Sequence, residues 1–448
     1  MPSMDKEFIE RYDKAVPRYT SYPTAPHFSP AIGPAAYERW LREIDPAARL
    51  SLYIHIPFCA RLCSFCGCHT RITRRYQPIA AYLEALSAEL GLVARAIGRR
   101  QTVTAIHWGG GSPTMLSAAD FSRLTKAMGS HFGLADDAGM AVEIDPRTLK
   151  AGFVAAMAEA GVRRASLGVQ DFDAKVQRAI NRVQPFEVVR DAVKLLRGAG
   201  IGAINFDLMY GLPYQTVESI RRNVDLALAL RPDRIALFGY AHVPWMKRHQ
   251  RLIPEAALPS GVARFEMAQV AAERLSGAGY RRIGLDHFAR PDDSLCRAYD
   301  ERRLRRNFQG YTTDNADVLL GFGASAIGTL PAAYVQNAVA IHQYQRAVES
   351  GSLATVKGVA LDAGDRARRS LIERLMCGYG VDLDREPGLN GDMEPILSAL
   401  APMADDGLID VDGGRLDITD KGRPFMRNVC AAFDSYFEAR PQQHSRAI

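Results

Sequence analysis

The chain has 448 residues, 47% of them hydrophobic, which allows at least one large core and, at roughly 150 residues per domain, two or three domains. Its formal net charge of +6 is mild for this length, and no dense basic run resembles a nucleic-acid-binding arm. No apolar stretch approaches the roughly 20 residues that span a bilayer, and the polar start lacks a signal-peptide core. We therefore expect a cytoplasmic protein without nucleic-acid partners or membrane insertion.

Residues 1–48 are interpreted as an irregular N-terminal arm. The run Pro17–Pro23 contains two prolines and two tyrosines separated by small polar residues. This composition predicts extended and turn conformations rather than a strand of a sheet. We expect the arm to pack on the domain that follows it.

Strand-like and helical patterns alternate through residues 49–358, which we interpret as one α/β domain. The predicted strands are Leu50–Ile56, Ala105–Trp108, Met140–Ile144, Arg164–Val169, Ile204–Met209 and Ile235–Tyr240. Helices are predicted at Ala80–Arg99, Ala118–Phe132, Phe186–Ala199 and Val217–Leu230. Such alternation favours parallel pairing through right-handed crossovers, and hence a partial (β/α)6 barrel of the TIM type. Functional residues are then expected after the strands, at their C-terminal ends.

Residues 359–448 are interpreted as a separate, mostly helical C-terminal domain. A helix is predicted at Asp365–Leu375, and Ala401–Ile418 is predicted to contain a helix end and a hairpin that turns at Asp412–Gly414. This order resembles a winged-helix-like module. Because no dense basic recognition helix is present, a lid that packs on the barrel is favoured over a DNA-binding role.

Four of the seven cysteines lie within ten residues, directly after the first predicted strand. Cys59, Cys63 and Cys66 form a CxxxCxxC motif, and three soft thiolates on one loop suit an iron–sulfur cluster. A four-iron cluster with three protein ligands leaves one iron open to another ligand. The alternative is a zinc site with Cys68 or His69 as fourth ligand. A secreted disulfide framework would space its cysteines differently.

Polar and glycine residues follow the predicted strands, where core positions would be apolar. The run Gly109–Gly111 permits close approach of a ligand to the backbone, and its carbonyl groups can accept from an ammonium. Arginine can bind a carboxylate, carboxylates can bind a cation, and Asp or Gln can bind hydroxyl groups. These groups are supplied by Glu143, Gln170, Arg182 and Asp207.

The CxxxCxxC motif, with the aromatic Phe65 before its last cysteine, resembles the radical S-adenosylmethionine (SAM) superfamily. The resemblance implies a [4Fe-4S] cluster on Cys59, Cys63 and Cys66. It also implies SAM at the open iron, cleaved by one electron to methionine and a 5′-deoxyadenosyl radical. The implied cofactor-binding residues are Tyr53, Phe65, Gly110, Gly111, Ser112, Glu143, Gln170, Arg182, Asp207, Ala241 and Ile327.

Motifs along nearly the whole chain resemble the oxygen-independent coproporphyrinogen III oxidases, a radical SAM family of anaerobic haem biosynthesis. They are Pro17–Thr24, Tyr53–Cys59, Cys66–Cys68, His107–Gly111, Gly168–Phe172, Asp286–Asp293 and Asn307–Thr313. Ser112 departs from the threonine usual in the family but keeps the hydroxyl. The resemblance implies oxidative decarboxylation of two propionates of coproporphyrinogen III to vinyl groups, giving protoporphyrinogen IX. It further implies two SAM molecules, a monomer, and a reductant and an electron acceptor that the sequence does not identify.

The resemblance also marks His55 and Cys68 as catalytic residues, with Cys68 outside the ligand set of the cluster. Haem-binding chaperones of the same superfamily are the alternative, but they typically lack a cysteine at the position of Cys68, which favours the oxidase. A substrate with four propionates needs several cations. Arginines are concentrated between Tyr280 and Asn307, although none is assigned to the substrate: Arg281, Arg282, Arg290, Arg302, Arg303, Arg305 and Arg306.

Overall fold

A computed structural model describes residues 5–386, 389, 393–437 and 446 of the chain. Its largest element is a sheet of 12 strands. The strands of the described residues are β1 (Leu50–Ile56), β2 (Phe58–Cys59), β3 (Arg71–Ile72), β4 (Thr102–Gly110), β5 (Gly133–Ile144), β6 (Arg164–Gln170), β7 (Ala203–Tyr210), β8 (Arg234–Gly239), β9 (Arg281–Ile283), β10 (His287–Ala289), β11 (Arg305–Asn307), β12 (Gly310–Thr312), β13 (Val318–Phe322), β14 (Ile327–Leu330), β15 (Ala333–Asn337), β16 (Thr355–Ala360), β17 (Val381–Asp382), β18 (Ile409–Asp412) and β19 (Arg415–Ile418).

Helices alternate with the strands of the central part of the sheet. They are α1 (Lys6–Tyr12), α2 (Pro34–Arg42), α3 (Gln77–Ile97), α4 (Ala118–His131), α5 (Ala151–Glu159), α6 (Ala174–Ala179), α7 (Phe186–Gly198), α8 (Val217–Ala229), α9 (Gly261–Gly277), α10 (Ser294–Asp300), α11 (Ile341–Glu349), α12 (Ala363–Met376), α13 (Met393–Asp405) and α14 (Met426–Ala431). No helix of the described residues is long and apolar enough to cross a membrane.

The large sheet has the order β16-β15-β14-β13-β1-β4-β5-β6-β7-β8-β10-β9. The strands from β13 to β8 are parallel to their neighbours, and antiparallel strands extend both sides. The predicted α/β fold with a parallel core is therefore confirmed, and its strands β1 and β4 to β8 cover the six predicted runs. In the described residues the sheet keeps two edges, β16 and β9, so it is open and does not form a closed barrel.

The parallel strands are buried because helices cover them. In β1 six of seven residues are buried, the pattern expected of a strand that is shielded on both faces. The helix α7 places Val189, Val193 and Leu196 at spacings of three and four residues, and all three join the core shared with the sheet. The carboxyl ends of β1 and β4 to β8 consequently meet at one rim, where the site lies.

The N-terminal arm is only partly irregular. It contains two helices that the sequence interpretation missed, α1 and α2. The side chain of Asp5 caps α1 by accepting from Phe8, and Pro34 occupies the first turn of α2, a position proline favours. Helices of seven and nine residues are too short for their periodicity to stand out. The prediction of a wholly irregular arm was therefore wrong at both ends.

The arm packs on both other parts of the chain, since Tyr37 and Leu41 of α2 join the core shared with the sheet and earlier residues contact the C-terminal part. One hydrophobic cluster joins Tyr12, Tyr19 and Tyr22 of the arm to residues of α12, α13 and α14. The Tyr19 hydroxyl also donates to Asp434 at 3.0 Å. In the C-terminal part, β18 and β19 form the predicted hairpin and β17 completes a sheet of three strands. The division at residues 48 and 358 stays a prediction.

Candidate active site

The cysteine loop begins where β2 follows β1 and is held by its backbone. Cys59 ends β2. The Ser64 amide donates to the Ile180 carbonyl at 2.9 Å, and the Asn181 side chain donates to the Leu62 carbonyl at 2.7 Å. These bonds fix the loop that carries the three predicted cluster ligands against the segment that follows α6.

The surroundings of Cys63 are cationic. Its Sγ accepts hydrogen bonds from Arg147 and from Arg182, each at 3.5 Å. Asp145 pairs with Arg147 at 2.6 Å and lies 3.5 Å from Arg182. Burial alone would raise the pKa of Asp145, but hydrogen bonds from Arg147 and the charge of Arg182 hold it below its usual range. Two guanidinium groups stabilise a negatively charged sulfur ligand, so these residues fit an iron–sulfur cluster.

The four clustered cysteines are not arranged around one metal ion. Among the residues that the structure describes, no three His, Cys, Asp or Glu side chains are placed to bind a single ion. Cys68 is exposed, and its amide donates to the Cys66 Sγ at 3.4 Å. Hydrogen bonding from Cys68 lowers the pKa of Cys66. In a cluster each cysteine binds a different iron and the sulfurs need not converge, so this geometry does not favour the zinc alternative.

Gln250 ties the cysteine loop to the end of β8. Its Nε2 donates to the Phe65 carbonyl at 2.9 Å and to the Ala241 carbonyl at 3.2 Å. The neighbouring His249 donates from Nε2 to the Cys66 carbonyl at 2.7 Å. Gln250 is 1% exposed. The sequence interpretation missed it, because it lies in a short 3-10 helix, Arg248–Leu252, that carries no motif.

The end of β4 leaves no room for side chains. Gly110 has φ of 109°, and a Cβ there would lie 2.6 Å from the His55 ring. A Cβ on Gly111 would lie 2.7 Å from the Phe58 carbonyl oxygen. Only glycine fits such backbone conformations and separations. The predicted glycine motif therefore lies directly against β1 and the start of the cysteine loop.

Glu143 reaches this glycine end from the neighbouring strand β5. Its carboxylate accepts from the Gly110 amide and from His107 Nε2, both at 3.1 Å. The side chain is 37% exposed, so the carboxylate also faces the open rim. The Ser112 hydroxyl, by contrast, is buried and bonded to that of Thr114 at 2.7 Å.

Asp207 and Gln170 lie at the ends of the adjoining strands β7 and β6. The Asp207 carboxyl accepts from Asn205 at 2.9 Å and from Ser166 at 3.2 Å. Burial, together with the charge of Glu143, raises the pKa of Asp207 to about 7. Gln170 has φ of 67°, at a register shift between β6 and β7. Both side chains carry groups that can bind hydroxyls.

Tyr53 and His55 share one face of β1, as predicted. The Tyr53 hydroxyl donates to His55 Nδ1 at 3.1 Å, and His55 Nε2 donates to the His69 carbonyl at 3.2 Å, so the imidazole is neutral in this arrangement. Burial lowers the pKa of His55, in agreement. The Tyr53 ring also stacks on His107, with ring centroids 5.9 Å apart.

Ile327 lies in β14, with only β13 between it and β1. It packs against the apolar cluster that contains Phe28 and Tyr334. Its predicted place beside a cofactor therefore depends on the sheet order and not on a direct contact with the other predicted residues.

A cavity of about 400 Å³ adjoins the cysteine loop and is lined by Cys68. Arg282 and Arg306 line it as well, whereas other arginines of the same region pair with carboxylates near the surface. Those pairs are Arg281–Asp300, Arg290–Asp292, Arg303–Glu301 and Arg305–Glu373. Among the arginines that the sequence left unassigned, the structure therefore distinguishes those that line the cavity from those that pair with carboxylates near the surface.

A parallel α/β sheet whose first strand is followed by a loop with three cysteines is the arrangement that defines a radical SAM protein. The model of the Radical SAM superfamily matches residues 53–227, and the model of the HemN C-terminal domain matches residues 361–425. Radical SAM proteins carry a [4Fe-4S] cluster and SAM, and the cysteine loop and the glycine end described above fit both groups.

Relatives that match over nearly the full length of the chain identify its family within this superfamily. The chain is 53% identical over 440 residues to the oxygen-independent coproporphyrinogen III oxidase of Bradyrhizobium diazoefficiens, which covers 97% of this chain and 98% of the relative. Identity to the Escherichia coli enzyme of that name is 41% over 451 residues, 99% of this chain and 98% of the relative. The solved structure of coproporphyrinogen III oxidase (HemN) from Escherichia coli, described as a radical SAM enzyme, matches with a TM-score of 0.90 at 40% identity, over 97% of this chain and 99% of that one. The chain belongs to the family of oxygen-independent coproporphyrinogen III oxidases.

Proposed function

We propose that this chain converts coproporphyrinogen III to protoporphyrinogen IX without oxygen, by oxidative decarboxylation of two propionates to vinyl groups. The observation that carries the proposal is the place of Cys68. Its amide contacts the sulfur of Cys66, and the same residue lines the cavity. A site large enough for an organic substrate therefore opens beside the loop that would hold the cluster.

Each propionate loses a hydrogen atom from its β-carbon, carbon dioxide and one electron. The β-carbon and the α-carbon then form the vinyl double bond, and an external one-electron acceptor takes the electron. The C–H group at this β-carbon is not acidic enough for a side-chain base to deprotonate it. When bound, the reduced cluster and SAM supply a 5′-deoxyadenosyl radical that takes the hydrogen atom. Two propionates call for two SAM molecules.

The side chains at the rim differ in charge, and we assign them to the cluster or to SAM accordingly. Cys59, Cys63 and Cys66 would hold the cluster, with Arg147 supplying positive charge beside it. The Nε of Arg182 is buried and has no hydrogen-bond partner among the described residues, which suits a carboxylate acceptor. The other proposed contacts to SAM are made by Tyr53, Phe65, Gly110, Gly111, Ser112, Glu143, Gln170, Asp207, Ala241 and Ile327.

His55 and Cys68 take different roles. Both ring nitrogens of His55 are engaged and its ring lies against Gly110, so we assign it to positioning the glycine end. Cys68 is exposed to the cavity and is proposed to act on the substrate side without binding iron. The haem-chaperone alternative is not favoured, because the full-length relatives are oxidases by name. We propose a monomer that takes electrons from a separate reductant.

The test is an anaerobic product assay. Protein reconstituted with iron and sulfide is supplied with a reductant, an electron acceptor, SAM and coproporphyrinogen III. We expect two molecules of 5′-deoxyadenosine for each protoporphyrinogen IX. Formation of 5′-deoxyadenosine without protoporphyrinogen IX would refute the oxidase, and tight haem binding without turnover would support a chaperone. Absence of the broad visible absorption of a cluster would support zinc.

A further inference from the structure

The cavity beside Cys68 is lined by six arginines that come from distant parts of the chain, and we call it the arginine cavity. They are Arg18 of the arm, Arg264 of α9, Arg282 of β9, Arg306 of β11, Arg427 of α14 and Arg446, which also pairs with Asp13 at 3.0 Å. The one acidic residue among the described residues that line it is Asp286. Positive charge therefore exceeds negative charge by a wide margin inside a concave site.

Several guanidinium N–H groups in this cavity lack a partner. The Arg306 side chain is only 6% exposed, yet its Nε and Nη1 have no hydrogen-bond acceptor among the described residues. Its Nη1 is 3.9 Å from Asp286, too far for a hydrogen bond, and Asp286 already accepts from His287 at 2.7 Å. The Nε atoms of Arg264 and Arg282 are likewise buried without a partner. Buried charged donors left unpaired are costly, so this arrangement calls for external acceptors.

Arg234, a buried arginine outside the cavity, is paired with a carboxylate. Arg234 contacts Asp293 at 2.6 Å, with both side chains less than a tenth exposed. In the arginine cavity no carboxylate of the described residues forms an ion pair with Arg282, and burial lowers its pKa to about 10. Burial, followed by the charge of Arg18, lowers the pKa of Arg427 to about 9. The cavity thus gathers cations at a cost in stability, which is typical of a binding site.

The remaining walls suit an organic ring system. Phe238, Phe288 and Phe308 line the cavity, and Cys68 joins it to the cysteine loop. Its volume of about 400 Å³ falls within the range of roughly 300–1,000 Å³ found for ligand pockets. A ligand that has an apolar body and several carboxylates at its edge would match both kinds of wall, since guanidinium groups bind carboxylates in a forked geometry.

We propose that the arginine cavity binds the propionate carboxylates of the tetrapyrrole substrate, with Arg282 and Arg306 as principal contacts. This assignment rests on the proposed function for the identity of the substrate. It also gives the arm and the C-terminal part of the chain a direct share in the site, through Arg18 and Arg427. The C-terminal part is then more than a lid.

The experiment measures binding without turnover. Coproporphyrin III, the fluorescent oxidised form of the substrate with its four propionates, is titrated into the anaerobic full-length protein. Arg282→Gln and Arg306→Gln should each weaken binding about tenfold to a hundredfold, the loss expected for one charged hydrogen-bonded contact. The matched controls Arg281→Gln and Arg305→Gln remove adjacent cations that already have carboxylate partners, and should leave binding unchanged. Mesoporphyrin IX, with two propionates, should bind more weakly, and its affinity should change less in the arginine variants.

Thermal unfolding separates binding from a structural role. Burial disfavours the Arg282 cation, so Arg282→Gln should unfold at the same or a higher Tm. Arg306 also lies 3.9 Å from Asp286 and over the Tyr311 ring, so the Tm of Arg306→Gln is not used as the criterion; Arg306→Lys, which keeps the charge, should recover part of the affinity. Unchanged affinity in both glutamine variants, or weaker binding of Arg282→Gln together with a lower Tm of that variant, would overturn the proposal. If the wild type makes no protoporphyrinogen IX but shows the expected binding pattern, the proposed function fails and the cavity assignment stands. If the wild type forms protoporphyrinogen IX but the glutamine variants bind with unchanged affinity, the cavity assignment fails and the proposed function stands.

Discussion

Glu89, in the middle of α3, is a buried acid that should make stability depend on pH. The residue is 2% exposed. Its carboxyl accepts from the Gly323 amide and the Tyr344 hydroxyl, each at 2.7 Å, and from the Asn337 side chain at 2.6 Å. Burial raises its pKa from near 4.5 to about 7, against the opposing effect of these hydrogen bonds. The folded chain therefore binds the proton more tightly than the unfolded chain does.

The sign and size of the effect follow from this difference. The contribution of Glu89 to stability is complete below about pH 4.5 and is lost as the pH rises through about 7. Each unit of difference in pKa is worth about 1.4 kcal/mol, so the full loss is about 3 kcal/mol. Between pH 5.5 and pH 8 the free energy of unfolding should fall by about 2 kcal/mol because of this group.

Glu89→Gln removes the titration and keeps the shape. Its amide nitrogen must face a donor, which costs about 1–3 kcal/mol at every pH. In urea unfolding, the variant should be less stable than the wild type at pH 5.5, and the gap should narrow by about 2 kcal/mol at pH 8. Glu84→Gln is the matched control, since Glu84 lies on the same helix with a side chain that is 71% exposed. A gap between wild type and Glu89→Gln that does not change with pH would refute the reasoning.

Three further predictions concern the site. Cys63→Ala should remove the visible absorption of the cluster and all turnover while far-ultraviolet circular dichroism stays unchanged, and retained activity would exclude the ligand assignment. Gly110→Ala would place a Cβ 2.6 Å from the His55 ring, so SAM binding by calorimetry should weaken at least about tenfold, whereas Gly139→Ala, with no atom within 4 Å, should bind normally. Gln250→Ala removes the hydrogen bonds that hold the cysteine loop, which should lower the free energy of unfolding by about 1–3 kcal/mol. The cluster should then be lost faster to a chelator, and an unchanged rate would show that Gln250 does not hold the loop.

The central strands could be predicted because each is an apolar run followed by glycine or polar residues. The structure keeps β1 at the predicted bounds Leu50–Ile56, and the other five predicted runs lie inside β4 to β8 within one residue. The edges of the sheet could not be predicted in the same way. Strands β9 and β10 have three residues each, which is too short for a period to develop.

The strand-end residues of the candidate site could be found because each follows a recognisable run. Gln250 could not, since what defines it is the pair of carbonyl groups it meets at Phe65 and Ala241. The arginines of the cavity show the same limit. Sequence clustering selected Arg282 and Arg306 together with neighbours that turn to surface carboxylates, and which of them face inward depends on tertiary structure.

The arrangement of Arg18 and Arg427 explains why the arm and the C-terminal part must fold together. Arg427 donates to the carbonyls of Val16 and Pro17, 410 positions away in the second case, so it holds the segment that carries Arg18. Bringing these two cations to one cavity is unfavourable by itself, because like charges repel and burial disfavours both. The apolar cluster that joins the arm to α12, α13 and α14 includes Phe265, which also lines the cavity. Burial of that cluster offsets the repulsion, and binding of carboxylates would remove it.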